Sequence, residues 1–198
     1  MAVVGRKLYA LGGMLDGGYA SLVEMYDAED DNWIEVDPMS QARCNPGIAV
    51  AGGKIYVVGG LGENLLGPPG PLKTVEYYDV SMFFVMLFHR VFSLPLLIPL
   101  CINNLRFSII YCQFQPESDT WTSLPDMYFA RHSPAVAHVN NKLFVFGGGS
   151  PSPLLSPGPE RTIECFDFER HEWFVLQAKI PGRSNAVYVS AFFDNLDT

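Results

Sequence analysis

VEMYD at residues 23–27, VEYYD at 75–79 and IECFD at 163–167 repeat one pattern: a β-branched residue, Glu, any residue, an aromatic residue and Asp. Self-similarity of this kind indicates a repeat architecture, in which each copy is one structural unit. The residues that recur around these three copies therefore decide the fold.

The middle copy contains an insertion. Trp33 and Trp173 each follow the aromatic residue of their copy by seven positions, whereas Trp121 follows Tyr78 by forty-three, which is 36 more. Each tryptophan is followed ten positions later by an arginine. These arginines are Arg43, Arg131 and Arg183. Because the rest of the chain keeps its spacing, the surplus lies at about 80–115.

Short apolar runs that close on a glycine pair precede each copy: KLYALGG (7–13), KIYVVGG (54–60) and KLFVFGG (142–148). Such runs predict a buried strand followed by a turn, because glycine permits a positive φ and a close backbone approach. The strand paired with each run is predicted at GIAVA (47–51) or PAVAHV (134–139). No segment of the repeats has a helical period, so the sequence predicts an all-β fold.

A glycine pair ending an apolar strand, an aromatic-Asp pair and a tryptophan, at a period near 50, together resemble the kelch repeat. In that family each repeat is one four-stranded blade of a β-propeller. The resemblance implies a partial propeller of about three four-stranded blades. Its first part is 1–79, a hydrophobic insert follows at 80–115, and the second part is 116–198.

The recurring side chains have structural roles in this interpretation. The aromatic residues and the tryptophans are expected to supply the large apolar surface that packs one blade against the next. The glutamate of each copy and the repeat arginines predict an ion pair within or between blades. The glutamates are Glu24, Glu76 and Glu164.

The insert differs in composition from its surroundings, since it has no Asp, Glu or Lys and is dominated by Phe, Leu, Ile, Val and Met. One interpretation is a membrane span, but the uncharged stretch 91–105 is 15 residues long, below the ~20 that a spanning helix needs. A second is a hydrophobic helix or hairpin that packs on the propeller or on a partner, although Pro95 and Pro99 would break a helix.

The favoured interpretation is the hypothesis that 80–115 is a translated intron. Val codons begin with GT, Gln can be encoded by CAG, and 36 codons keep the reading frame. Removing the segment would join Asp79 to Pro116 and restore an ordinary repeat. The ends suggest incompleteness as well, because residues 1–13 are expected to begin within a blade and Arg183 predicts a glycine pair at 199. We expect a fragment or isoform of a longer protein.

Composition excludes several function classes. A net charge of −8 and a pI of about 4.9 provide no basic field for nucleic acid. No secretory signal opens the chain, and the four cysteines have no paired or metal-ligand spacing, so reduced thiols and a cytoplasmic location are expected. The cysteines are Cys44, Cys101, Cys112 and Cys165.

No catalytic constellation is visible, so no catalytic, cofactor or metal residue is predicted and the protein is not expected to be an enzyme. The four histidines are scattered over the chain, and the acidic residues 29–31 occupy a polar turn. The glycine-rich 59–67 is followed by GPPGP where a nucleotide-binding loop requires a helix. A propeller enzyme of the kelch type, or a membrane-associated protein anchored by the insert, is the alternative.

Function is expected in the segments that vary between copies, which follow the glycine pairs. In the kelch proteins that this chain resembles, these loops and the positions two after the repeat arginine face a partner peptide. Those residues are predicted to bind a protein partner here. They are Asn45, Ser133, Asn185, Asp16, Glu63, Asn64, Ser150 and Ser152. The resemblance implies a substrate receptor of a cullin-based ubiquitin ligase, which it would join through a BTB domain that these residues lack.

Overall fold

A computed structural model describes residues 1–64, 67–80, 121–149 and 161–178. The regular elements of these segments are fourteen β-strands, and they form three four-stranded antiparallel sheets and one two-stranded ribbon. We call the three sheets blade 1, blade 2 and blade 3 in chain order. The all-β architecture of three blades is as the sequence predicted. No helix among the described residues has the length and apolar character needed to cross a membrane.

Blade 1 contains four strands in sequence order. They are β1 (Ala2–Val4), β2 (Lys7–Leu15), β3 (Gly18–Asp27) and β4 (Asn32–Val36). We expected residues 1–13 to begin inside a blade, but the short strand β1 pairs with the start of β2 and supplies the fourth strand. The pairing of β1 reaches only to Tyr9, so Leu11 and Val23 of the core lie beyond the fourth strand.

Blade 2 is the sheet that the insertion interrupts. Its region contains β5 (Gly47–Ala51), β6 (Lys54–Val58), β7 (Leu61–Asn64), β8 (Gly67–Pro71), β9 (Val75–Asp79) and β10 (Thr122–Leu124). The sheet order is β10-β9-β6-β5, and β7 and β8 form the separate ribbon. Strands β9 and β10 flank the insertion and pair antiparallel, with Thr122 opposite Tyr77 and Leu124 opposite Val75. The prediction that both flanks belong to one sheet is confirmed.

Residues 81–115 of the predicted insertion lie outside the described residues, so the intron, helix and membrane interpretations stay predictions. Val80, the first residue assigned to it, is 2% exposed and belongs to the core of the blades. Its backbone N–H donates to the Gly53 carbonyl at 2.9 Å. This residue therefore completes blade 2.

Blade 3 contains β11 (Ala135–Val139), β12 (Lys142–Phe146), β13 (Ile163–Asp167) and β14 (Glu172–Val175). The first two strands meet in a turn at Asn140 and Asn141, which have φ of 48° and 57°. Two consecutive positive φ values are what a type I′ hairpin turn requires, and asparagine and glycine tolerate them best. Gly52 and Gly53 form the matching turn of blade 2 with φ of 55° and 72°.

The cores lie between the blades. One cluster joins blade 1 to blade 2, and its members include Tyr9, Leu11, Val23, Met25, Ile55, Val57 and Tyr78. The second joins blade 2 to blade 3, and its members include Tyr56, Val58, Val75, Val136, Leu143, Phe166 and Trp173. Each fully buried large apolar side chain contributes about 1.5–3 kcal/mol. The alternation of residues along each strand thus gives every blade two apolar faces, one for each neighbour.

Two segments that the sequence predicted as loops are ribbons. Strands β2 and β3 continue past the glycine pair to Leu15 and Gly18, and the turn between them has Asp16 at φ 51° and Gly17 at φ 83°. This is again a type I′ geometry, which Asp-Gly favours. The ribbon of β7 and β8 replaces the second predicted loop. It tolerates its prolines because β8 has a free edge, where a missing N–H costs no ladder hydrogen bond.

Candidate functional site

The linker between two blades is fixed by a buried arginine. The Arg43 guanidinium lies 2.7 Å from a carboxylate oxygen of Glu76, and the two side chains are 1% and 2% exposed. It also donates to the Gly59 carbonyl at 2.7 Å and to the Thr74 carbonyl at 3.1 Å. Burial lowers the pKa of Arg43, and the nearby Glu76 opposes that shift. The arginine therefore joins its linker to two other segments of blade 2.

The next linker repeats this arrangement. Arg131 lies 2.9 Å from Glu164, and neither side chain is exposed. The guanidinium donates to the Thr162 hydroxyl at 2.6 Å and to the Gly147 carbonyl. Glu164 accepts a further hydrogen bond from the Tyr128 N–H at 2.7 Å. The predicted ion pair is confirmed for these two repeats, and in each it lies within one blade, between the leading linker and the third strand.

The glycine pairs allow these linkers to approach the preceding blade. Gly12 has φ +59°, and a Cβ on it would lie 2.3 Å from the Arg43 carbonyl oxygen. Gly59 has φ +60°, and its Cβ would lie 2.5 Å from the Arg131 carbonyl oxygen. Any side chain would collide with backbone at both positions. The glycine pair of one blade and the arginine of the linker that leads into the next blade are thus two parts of one inter-blade contact.

The residues two after each arginine are presented on the surface. Asn45 and Ser133 are exposed, with φ of 48° and 51°. The Ser133 N–H donates to the Asn45 carbonyl at 2.9 Å, so the structure brings these two predicted residues together across the blade interface. A positive φ in a non-glycine residue is uncommon and is often found at functional positions.

The other described candidates lie on the two ribbons. Asp16 is at the tip of the β2–β3 hairpin, and Glu63 and Asn64 are exposed on β7. The Asn64 amide donates to the Pro68 carbonyl within its own ribbon at 2.8 Å. Gln41 joins the Arg43 linker to this ribbon by donating to the Glu63 carbonyl at 3.2 Å. The ribbons and the linkers thus form one surface, which we call the loop face. The remaining candidates Asn185, Ser150 and Ser152 lie outside the described residues.

Sequence reasoning missed two apolar residues of the loop face. Met14 and Leu15 are 65% and 60% exposed beside Asp16. Neighbouring exposed apolar side chains at a hairpin tip are typical of contact surfaces. The available signal was the Asp16-Gly17 pair, which predicts a hairpin turn and places the residues before it at its tip.

A second repeated ion pair was also missed. Lys7, Lys54 and Lys142 begin the second strand of each blade, and each pairs with the aspartate that ends the third strand. The pairs are Lys7 with Asp27 at 3.2 Å, Lys54 with Asp79 at 3.6 Å and Lys142 with Asp167 at 2.7 Å. They lie at the end of the blade opposite the loop face.

The described residues contain no group of three or more His, Cys, Asp or Glu side chains placed to hold a metal ion. Cys44 and Cys165 are free and buried. Burial raises the pKa of the Cys165 thiol, which disfavours the nucleophilic thiolate. His138 is half-buried, and desolvation lowers its pKa.

The comparisons with known proteins agree with this architecture. The Kelch motif matches residues 1–40, 42–82 and 130–177, which is more than half of the chain. Human Kelch repeat and BTB domain-containing protein 2 is 27% identical over 171 residues, which cover 80% of this chain and 27% of that protein. Human Kelch-like protein 28 is 28% identical over 145 residues, covering 72% of this chain and 19% of that protein.

A third relative, an F-box/kelch-repeat protein of Arabidopsis thaliana, is 40% identical over 78 residues, which cover 39% of this chain and 18% of that protein. The chain therefore spans about a quarter or less of the length of these relatives. The motif is matched in all three blades, which confirms the resemblance drawn from the spacing of the repeats. The chain belongs to the kelch-repeat family.

Proposed function

We propose that this protein is a non-catalytic interaction module that binds a protein or peptide on its loop face. One observation carries the proposal: two buried arginine–glutamate pairs hold the inter-blade linkers so that Asn45 and Ser133 lie side by side at the surface with positive φ. Rigid support below and exposed polar groups above are what a recognition surface needs, since side chains that are already ordered lose little entropy on binding.

The ribbons extend this surface. Asp16, Glu63 and Asn64 are exposed polar residues, and Met14 and Leu15 are exposed apolar ones beside them. An interface core is usually apolar and is surrounded by a polar rim. The hairpin tip supplies the apolar contact, while Asn45 and Ser133 supply hydrogen bonds and orientation. The remaining candidates Asn185, Ser150 and Ser152 are proposed as further members of the rim.

We further propose that the protein belongs to a family of substrate adaptors. Two of the relatives carry a BTB domain or a kelch-like designation in their names. By analogy, the blades would select the substrate of a cullin-based ubiquitin ligase, and recruitment of the ligase would fall to a BTB domain, which kelch repeats do not supply. The free, buried thiols of Cys44 and Cys165 support a reducing, cytoplasmic location.

The test is a binding comparison on the full chain. Proximity labelling in cells identifies candidate partners, and each is then purified and titrated against the wild type and the Asn45→Asp, Ser133→Asp double variant. Aspartate tolerates positive φ, so the variant should remain folded. We expect the affinity to change at least about tenfold, which corresponds to about 1.4 kcal/mol; the direction reports the charge of the partner.

The matched control is Asn32→Asp. Asn32 is exposed at the start of β4, beside the β3–β4 turn and at the opposite end of β3 from Asp16. Its substitution should leave the affinity unchanged. A partner whose affinity is altered by Asn32→Asp but not by the double variant would show that recognition uses another surface.

A further inference from the structure

The ribbon of β7 and β8 contains a proline-rich strand. The sequence of β8 is GPPGP, in which Pro68 and Pro69 are exposed whereas Pro71 is buried. The next residue, Leu72, is 3% exposed, and its N–H donates to the Gly60 carbonyl at 2.9 Å. The ribbon is therefore anchored to blade 2 at its base, and the two consecutive prolines are presented to solvent at its outer end.

The prolines restrict the backbone of this strand. A proline ring holds φ at about −65°, and the residue before a proline is confined to an extended ψ. Gly67, Pro68 and Gly70 each precede a proline, so the strand is held close to polyproline II geometry. The Asn64 side-chain amide donates to the Pro68 carbonyl at 2.8 Å and fixes the outer end of the ribbon. Little conformational entropy is then lost when a partner binds this segment.

The open edge of β8 decides which kind of partner it fits. Within the described residues β8 pairs with β7 alone. Three of its five residues are prolines, which have no N–H. A strand added to this edge would lack ladder hydrogen bonds, so binding by β-strand addition is disfavoured. Exposed pyrrolidine rings on an extended backbone are instead what the aromatic-lined grooves of proline-binding domains recognise.

A cation lies next to this strand. Lys73 is exposed two residues after Pro71, and within the part of the chain that the structure describes it forms no salt bridge, unlike the lysine that begins the second strand of each blade. Glu63, the exposed carboxylate of the ribbon, lies on β7 and not on the proline strand. An acidic side chain at the border of the partner's groove would complement this lysine.

We propose that the ribbon is itself a ligand, and that its partner is a proline-binding domain with an aromatic groove bordered by acidic side chains. The groove takes the Pro68-Pro69 pair, and its acidic border faces Lys73. This interaction is separate from the binding proposed at Asn45 and Ser133, because here the partner supplies the pocket and this chain supplies the inserted segment.

A panel of purified SH3 and WW domains is the probe for this interaction. Each domain is titrated against the fluorescently labelled full chain, and we expect at least one of them to bind. Pro68→Ala combined with Pro69→Ala removes the rings but fits the same extended backbone, so the affinity for that domain should fall at least about tenfold. Pro38→Ala, the same change at an exposed proline outside the ribbon, is the control and should leave the affinity unchanged.

Charge variants test the acidic border. In about 0.15 M salt, where distant charges are screened, Lys73→Glu should weaken binding of the same domain. Arg170→Glu is an equal charge change at an exposed residue of the turn between β13 and β14, and it should have no effect. The Asn45→Asp, Ser133→Asp variant should bind the domain as the wild type does, so failure of this proposal is distinguishable from failure of the proposed function.

The domain gives a second readout. NMR resonances of its groove should shift when the unlabelled chain is added, and replacement of a groove tryptophan by alanine should abolish binding. A panel in which no domain binds overturns the proposal. So does binding that the Pro68→Ala, Pro69→Ala variant retains, because another segment, such as the proline-containing 151–159, would then be the ligand.

Discussion

The Arg131 guanidinium donates to Glu164 through both its Nε and a terminal nitrogen, at 3.0 and 2.9 Å. Neither side chain is exposed, so removal of the carboxylate charge would leave a buried cation without its counter-ion. We expect Glu164→Gln to lower the free energy of unfolding by about 3–5 kcal/mol, measured by urea denaturation.

The control for that change is Glu24→Gln, the same substitution at the same repeat position. Glu24 is exposed, so the free energy of unfolding should change by no more than about 0.5 kcal/mol. Equal effects of the two substitutions would show that the buried ion pair does not stabilise blade 3.

The glycine pairs should differ in how well they tolerate substitution by alanine, according to the atoms that surround each position. Gly59→Ala places a Cβ 2.5 Å from the Arg131 carbonyl oxygen, whereas Gly52, with a similar φ of +55°, has no atom within 4 Å of that position. Both alanines are strained by the positive φ. The clash should make Gly59→Ala about 1–3 kcal/mol more destabilising than Gly52→Ala, as compared by thermal and urea unfolding. Equal losses would mean that the linker backbone can move away.

Replacement of Tyr9 by phenylalanine should stabilise the protein. Its side chain is 0% exposed, and within the described segments its hydroxyl is the one buried side-chain polar atom without a hydrogen-bond partner. Phe144 occupies the same position in blade 3, so the ring alone fits the fold. We expect Tyr9→Phe to raise the free energy of unfolding by about 1 kcal/mol at neutral pH.

The same variant should change the alkaline stability. Burial, and then the charge of Asp27, raise the pKa of Tyr9 to about 12 from 10.0. The unfolded chain therefore releases this proton first, and stability is lost as the pH rises from 10 towards 12. Tyr9→Phe should remove that part of the loss. Tyr56→Phe should also reduce the loss of stability at alkaline pH, since the pKa of Tyr56 is likewise raised to about 12. It should not raise the free energy of unfolding at neutral pH. If the Tyr9→Phe variant is less stable than the wild type at neutral pH, the Tyr9 hydroxyl has a hydrogen-bond partner.

Acid stability should depend on the Lys142–Asp167 pair. The hydrogen bond from Lys142 is the main reason that the pKa of Asp167 is lowered from 3.8, and the N–H groups of Arg170 and Glu169 act in the same direction, while desolvation opposes them. A folded-state pKa below the unfolded one gives stability that is present above 3.8 and lost as the pH falls towards the folded value. In Asp167→Asn, unfolding midpoints should decline less steeply between about pH 5 and pH 2. Asp126→Asn, at an exposed residue, should keep the wild-type slope.

The blade plan could be predicted because it depends on side-chain spacing. The spacing of the repeats predicted that both flanks of the insertion belong to one blade, and in the structure the rings of Tyr78 and Trp121 lie 5.4 Å apart in a stacked arrangement. Strand registry follows from which residues fit the inter-blade core, and this information is local to each strand. The length of the connection between two strands therefore does not determine their registry.

The ribbons and the lysine–aspartate pairs were harder to predict. Lys7 and Asp27 are 20 residues apart, whereas Lys54 and Asp79 are 25 apart, so the pairing was hidden by the variable segment between them. Asn45 and Ser133 could be located from their distance to the repeat arginines. Their close contact could not, because it depends on the angle between two blades, which side-chain packing decides.

The ladder between β9 and β10 closes across forty residues of chain, 81–120, where the other blades use a short turn. Loop-closure entropy grows only with the logarithm of length, so the longer connection costs on the order of 2 kcal/mol. The outer corner of this blade is therefore a permissive grafting point. Foreign sequence, a reporter domain or a pair of new chain termini could be introduced between Val80 and Trp121, since the pairing of the flanking strands is encoded in the strands themselves.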